Sequence, residues 1–296
     1  TAEEQEKHEI VMVTGDNHDP FFITMIAGAT EKAEELGVDF SWQGPANYQP
    51  QEQIAVFDAV LATKPDFLLA VPTDTNALVA TLRKFNEADI PIICVDTDVR
   101  DKSVRLGQIT SDNFLGGQLA AKQLAEALPA GSKVAYVGEQ RGVYTTDERE
   151  RGFVTELKKT KLDFVGSQYG ADDPNTAASV TSALLTKYPD LKGLFASDTA
   201  YGQGAATAVK NAQKSGKVKI VAFDAEPAEV EALKRGLISM LIVQKAYDMG
   251  SKAVEFAVQY LEDGTKPPAL WNPDYVVATK DNIDSPEVAK YLYRAE

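Results

Sequence analysis

Short apolar runs alternate with longer stretches of helical period along almost the whole chain. "EIVMVT" begins at Glu9 and stops at a polar cluster, Asp16, Asn17, His18 and Asp19. From Pro20 to Leu36 the apolar positions recur at helical spacing and predict a helix opened by proline. "VDFSWQ" then leads to "QEQIAVFDAVLATK", "DFLLAV" leads to "TNALVATLRKFNEA", and "PIICVD" closes the set. After "SDNFLGGQLAAKQLAEAL" a second set follows: "KVAYVG", "ERERGFVTELKK", "DFVGSQ", "ASVTSALLTKY", "GLFAS", "GQGAATAVKNAQ", "KIVAFD", "PAEVEALKRG" and "MLIVQ". A long helical stretch, "AYDMGSKAVEFAVQYL", comes next.

Short apolar strands separated by longer helices predict an α/β fold with doubly wound parallel sheets and right-handed crossovers. The repetition points to two similar lobes rather than one very wide sheet, and no flexible linker separates them. The predicted first helix poses a problem of its own. Phe21 and Phe22 are neighbours, and neighbours on a helix point about 100° apart, so both cannot face one core.

Composition narrows the function. The 296 residues are 44% hydrophobic and 25% charged, as in an ordinary soluble globular protein. No apolar run reaches the roughly 20 residues of a membrane span, and no signal-peptide pattern opens the chain. "TAEEQEKHE" reads as a ragged mature terminus. A net charge of −14 argues against a nucleic-acid partner, which needs clustered Lys and Arg. Cys94 is the single cysteine and reads as a buried apolar residue. His8 and His18 are the two histidines and lack zinc-site spacing, so neither metal nor cofactor is expected.

In open parallel sheets, ligands bind beyond the carboxyl ends of the strands. Those ends read "TGDNHD", "VPTDT", "CVDTD", "GEQRGVYTTD", "SQYGADD", "ASDTAYG" and "AFDAEP", and each holds an aspartate. Aspartate is also a good helix cap, and Asp74 before "TNALVA" reads as one. A run of aspartates at every end is harder to assign to capping alone. "YGQGAA" lacks the third glycine of a dinucleotide loop, and no phosphate loop or nucleophile elbow occurs. Nothing specifies the acid–base pair of a glycosidase, so no enzyme and no catalytic residue is expected.

With these residues in view, the chain resembles the type I periplasmic sugar-binding proteins of bacterial ABC transporters, in particular the ribose-binding subgroup. The likeness runs from Ile10 to Val277 through "DPFF", "VPTD", "IPIICVD", "SDNFLGGQLAA", "ERERGF", "VAFDAEP" and the final "Q" of "MLIVQ". It implies two lobes, 1–109 with 245–273 and 110–244 with 274–296, with a ligand cleft between them. Hinge crossings would lie near Gln108–Asp112, Gln244–Lys245 and Trp271–Asp274. It also implies a monosaccharide ligand, a membrane permease as partner, a chemoreceptor as a further one, a monomer, and export to the periplasm. The same fold forms the effector domain of lactose-repressor-type regulators, but those carry a DNA-binding domain ahead of the first strand.

By this resemblance Phe21 and Phe22 form a stacking platform for a sugar, with Asp19, Asp96, Phe223, Asp224 and Gln244 as further contacts. The departures from the ribose pattern all lose cations or gain acids. Thr97 and Asp147 stand where the subgroup has arginines, Asp172 stands near its aromatic, and Asp198 replaces its asparagine. A neutral ligand cannot offset such a cluster, whereas an ammonium about 4 Å from a carboxylate gains about 4 kcal/mol at an effective dielectric near 20. The expected ligand is therefore a cationic amino sugar, glucosamine or galactosamine. A neutral pentose, hexose or polyol is the alternative. Arg141, Arg149 or Arg151 folding into the site, or a calcium ion, would also balance the acids.

Overall fold

A computed structural model describes residues 7–295; positions 1–6 of the expected ragged terminus lie outside them. In chain order the elements are β1 (Glu9–Val13), α1 (Pro20–Leu36), β2 (Asp39–Gln43), α2 (Pro50–Thr63), β3 (Phe67–Ala70), α3 (Val79–Glu87), β4 (Ile92–Val95) and β5 (Gly107–Ile109). Then come α4 (Asn113–Ala127), β6 (Lys133–Glu139), α5 (Tyr144–Leu157), β7 (Asp163–Gly170), α6 (Pro174–Lys187) and β8 (Leu191–Ala196). The chain continues with α7 (Thr199–Asn211), β9 (Lys219–Phe223), α8 (Pro227–Lys234), β10 (Met240–Gln244) and α9 (Ala246–Asp263). It ends with β11 (Leu270–Trp271), β12 (Tyr275–Ala278) and α10 (Pro286–Ala289).

The chain divides into two compact units. The first runs through Ser111, resumes over Lys245–Pro273 and takes up the chain again at Tyr293; the second is Asp112–Gln244 with Asp274–Leu292. Each has one sheet of six strands, ordered β11-β5-β4-β3-β1-β2 in the first and β12-β10-β9-β8-β6-β7 in the second. The first sheet is wholly parallel. In the second, only the edge pair β10–β12 is antiparallel, an exception to the parallel expectation. Buried β1, β3 and β4 pack with Phe57, Leu82 and Phe85 in the first core. Tyr136, Phe153, Phe195 and Phe223 fill the second.

The glycines of two quoted motifs have a packing cause. A methyl on Gly117 of α4 would strike the Arg149 carbonyl on α5, and one on Gly152 would strike Phe114, so both helices need bare backbone where they cross.

The last residues depart from the expected division, which put 274–296 wholly in the second lobe. Tyr293 packs edge-on against Phe21, centroids 5.5 Å apart, and the Arg294 amide donates to Thr24 Oγ1 at 2.8 Å. This returning segment also answers the two-phenylalanine problem. Phe21 and Phe22 are both buried, because Tyr293 supplies a second apolar surface on the side of α1 that Phe21 faces.

The segment expected as one helix over "TNALVATLRKFNEA" is helical only from Val79. Asp74 Oδ1 accepts from the Asn76 and Ala77 amides at 2.8 and 2.7 Å, which holds the start as a turn. Those two bonds keep the Asp74 carboxyl below its ordinary range.

Candidate functional site

The first unit gathers polar loops at the carboxyl ends of β1 to β4. Asp19 is the N-cap of α1, its Oδ1 accepting from the Phe21 amide at 2.8 Å. Asp16 closes the preceding turn by accepting from the His18 and Asp19 amides at 3.0 and 2.8 Å. Gln53, fully buried, donates to the carbonyls of Thr14 (3.0 Å) and Val71 (2.6 Å), while its Oε1 accepts from Thr73. It therefore ties the ends of β1 and β3 with every polar atom used. Thr97 does similar work, its hydroxyl donating to the Pro72 carbonyl at 2.7 Å. The second aspartate of "CVDTD", Asp98, is taken up by Arg105 and Lys102 and braces the loop after β4.

Asp96 follows β4 with φ of +66°, and Asp224 follows β9 with φ of +81°. The two strands hold the same place in their respective sheet orders. Non-glycine residues adopt this left-handed backbone at a cost of about 1–3 kcal/mol, and such strain collects at functional sites. Both aspartates are matched ligand contacts by the family resemblance, and capping explains neither.

The second unit brings more of the expected residues together. Asp224 Oδ1 accepts from Gln244 Nε2 at 2.7 Å. Asp198 caps α7 through the Tyr201 amide at 3.0 Å and takes a short hydrogen bond from Ser197 Oγ. Burial raises its carboxyl pKa, Asp224 adds to the rise, and Ser197, Tyr201 and Arg149 oppose it. Asp172 is raised by desolvation and then by Asp198. Glu139, at the end of β6, is raised by burial, Asp198 and Asp172, while Thr146 Oγ1 donates to it at 3.1 Å. The sequence reading passed over Glu139, although its place as the last residue of a β-strand marked it. Asp147 stands slightly apart, accepting from the Gly142 amide at 2.9 Å and closing the loop before α5.

The structure places the three arginines left open. Arg141 donates to Tyr169 Oη at 2.8 Å and lies 3.6 Å from Glu150, pinning its own loop. Arg151 is taken by Glu148 at 2.9 and 2.6 Å. Arg149 is buried within the face. It donates to Asn113 Oδ1 at 3.0 Å and to the Ser197 carbonyl at 2.8 Å, and its guanidinium lies 3.7 Å over the Phe223 ring. One cation therefore sits among Asp198, Glu139 and their neighbours, which the expected set lacked. Phe223, expected as a ligand contact, is fully buried, with Arg149 over its ring and Tyr275 edge-on to it.

Behind Asp224 lies Glu229, with no exposed surface. Its Oε1 accepts from Thr199 Oγ1 at 3.1 Å and the Glu226 amide at 3.3 Å, while Oε2 has no hydrogen-bond partner among the described residues. Burial, followed by the charge of Asp224, pushes this carboxyl well above its ordinary range. A separate open depression of about 820 Å³ lies at the amino ends of the first unit's strands. Arg105 on its wall is spent on Asp98, and Lys64, Asp66 and Asp89 line it as well. Among the described residues, no group of three metal-ligating side chains gathers and no helix is long and apolar enough to cross a membrane.

Two six-stranded α/β units thus carry aspartates at the carboxyl-end loops of their strands, with Asp96 and Asp224 in left-handed backbone at matching places. Comparison with known proteins gives the family. The periplasmic binding protein domain model matches residues 10–266, and the chain belongs to that family. It is a type I periplasmic sugar-binding protein of the ABC-transporter kind, not an enzyme. The chain is 30% identical over 280 residues to the ribose import binding protein RbsB of Salmonella typhimurium, covering 95% of this chain and 93% of that one. An Agrobacterium vitis ABC transporter solute-binding protein, solved with α-D-tagatopyranose, is 38% identical with a TM-score of 0.83, covering 97% of this chain and 100% of that one. A periplasmic solute-binding protein of Actinobacillus succinogenes with bound D-allose is 28% identical with a TM-score of 0.82, covering 93% and 98%.

Proposed function

We propose that this chain is the exported receptor of a monosaccharide importer and that it delivers a cationic 2-amino-2-deoxyhexose, glucosamine or galactosamine, to a membrane permease. The observation that carries the reading is that Glu139, Asp172 and Asp198 feel one another's charge, with the buried Arg149 guanidinium offsetting it at Glu139 and Asp198. Burial and then mutual repulsion raise these three carboxyls, and a positive ligand group would relieve the repulsive part. An ionised carboxylate that accepts from a ligand donor contributes about 1.5–3 kcal/mol, and an ammonium adds direct charge attraction.

A neutral ketose or aldose is the second reading. It is favoured by Arg149, which offsets part of the acidic field, and by the tagatose-bound relative. Thermal-shift measurements with glucosamine, galactosamine, N-acetylglucosamine, glucose, ribose and tagatose separate the two. The amino-sugar reading expects the largest stabilisation from a free amine and its loss on N-acetylation. Equal shifts with and without the amine assign the site to a neutral sugar.

A further inference from the structure

Beyond the residues matched to the family, the chain returns to the first unit, where Tyr293 and Arg294 grip the first turn of α1. Tyr293 is buried with its ring edge-on to Phe21 at 5.5 Å, and Phe21 is in turn edge-on to Phe22 at 5.5 Å. Three rings therefore run in contact from the tail to the mouth of β1, where a methyl on Gly15 would lie 2.9 Å from Phe22 Cε2. The backbone is held at a second point. The Thr24 hydroxyl accepts from the Arg294 amide at 2.8 Å and donates to the Pro20 carbonyl at 2.8 Å. One fully buried side chain thus bonds the tail to the residue that opens α1. The Arg294 guanidinium lies 5.6 Å over the Tyr247 ring of α9, and a methyl on Gly28 of α1 would strike the Tyr247 carbonyl, so the tail spans two helices already in backbone contact.

We propose that Tyr293 and Arg294 are positioning residues for the ligand face of the first unit, holding the first turn of α1 and with it the Asp19 carboxylate and the Phe22 ring. The proposal rests on reading Asp19, Phe21 and Phe22 as sugar contacts. Asp19 is coupled to the turn directly, because its Oδ1 accepts from the Phe21 amide at 2.8 Å. Phe22 is coupled through the Phe21 ring, which Tyr293 packs against. A carboxylate and a ring fixed before the sugar arrives need no ordering when it binds; once freed, each costs about two- to tenfold in affinity. Edge-on ring contacts set orientation as well as cover, which an aliphatic side chain does not. A tail that only covered α1 would change stability and leave the affinity of the folded protein where it was.

Calorimetry on Tyr293→Leu and Tyr293→Phe tests this, well below the melting temperature of each, with whichever of the six sugars named above wild type binds most tightly. Leucine keeps apolar cover and removes the edge-on ring, whereas phenylalanine keeps the ring. The expected result is an affinity about three- to tenfold lower in Tyr293→Leu, with recovery to within about twofold of wild type in Tyr293→Phe. Should Tyr293→Leu not fold, Arg294→Pro takes its place, since it removes the amide bond to Thr24 from an exposed residue; a loss of about two- to fivefold is then expected. Wild-type affinity in Tyr293→Leu, or in Arg294→Pro where that stands in, overturns the role of the tail, and so does an equal loss in the leucine and phenylalanine variants. If Asp19→Asn weakens binding in the same series, the site itself stands. If Asp19→Asn and the tail variants all bind as wild type does, the reading of this turn as sugar contacts fails and the proposal falls with it. Binding of none of the six sugars by wild type overturns both.

Discussion

Glu229→Gln should stabilise this protein, and by more as pH rises. Wild-type Glu229 is fully buried, with one oxygen satisfied by Thr199 and the Glu226 amide and the other unpaired among the described residues. Its folded-state pKa lies above the ordinary value because burial and Asp224 both disfavour the charge. In the unfolded chain the same group releases its proton near pH 4.3. Above that pH the unfolded state binds fewer protons than the folded state, so stability falls as pH rises, until the folded pKa is passed. The slope is about 1.4 kcal/mol per pH unit for one proton. Glutamine keeps the acceptor for Thr199 and the amide and has no proton to lose. Urea denaturation of both proteins at pH 5, 6 and 7 measures the difference directly. The gap in favour of Glu229→Gln should widen by up to about 1.4 kcal/mol per unit, with unchanged m-values. A gap that is constant with pH, or a variant less stable than wild type at pH 7, refutes the reasoning.

Other perturbations follow from the same contacts. Arg149→Met removes two hydrogen bonds from a charged donor and the contact over Phe223, and it leaves Asp198 and Glu139 without their nearest cation. It should lower stability by about 3 kcal/mol in urea denaturation; a loss below about 1 kcal/mol contradicts the geometry. Tyr293→Ala strips the buried ring that covers Phe21 and should cost about 3 kcal/mol. An unchanged melting temperature would show that the returning segment does not hold α1. Asp198→Asn should weaken an amino sugar by more than about tenfold in calorimetry, and equal affinity would remove that residue from the site.

The alternation of apolar runs and helical stretches made the two α/β units readable in advance, because burial on both faces of a parallel strand leaves a continuous apolar word such as "IICV" or "IVAF". What stayed hidden depends on contacts between distant positions. Phe21 and Phe22 read as a pair that no single core could take, since nothing local announces Tyr293. Arg149 reads as one more charge in "ERERGF"; only its fit against Phe223, seventy-four residues on, makes it the cation of the acidic face. Glu229 sits in "PAEVEALK" like a solvated helix acid, and its burial depends on the bare backbone of Gly202, where a methyl would come within 2.8 Å of its Oε2. The left-handed backbone of Asp96 and Asp224 leaves no mark in composition, because aspartate also caps helices and fills turns.

Titration calorimetry with galactosamine and galactose, run side by side on the unmodified protein, tests the central claim most directly. An acidic receptor for one amino sugar binds the amine in one-to-one ratio and at least about tenfold tighter than the neutral hexose, with the margin shrinking as salt is added. Tighter binding of galactose, or a preference that salt leaves untouched, contradicts it.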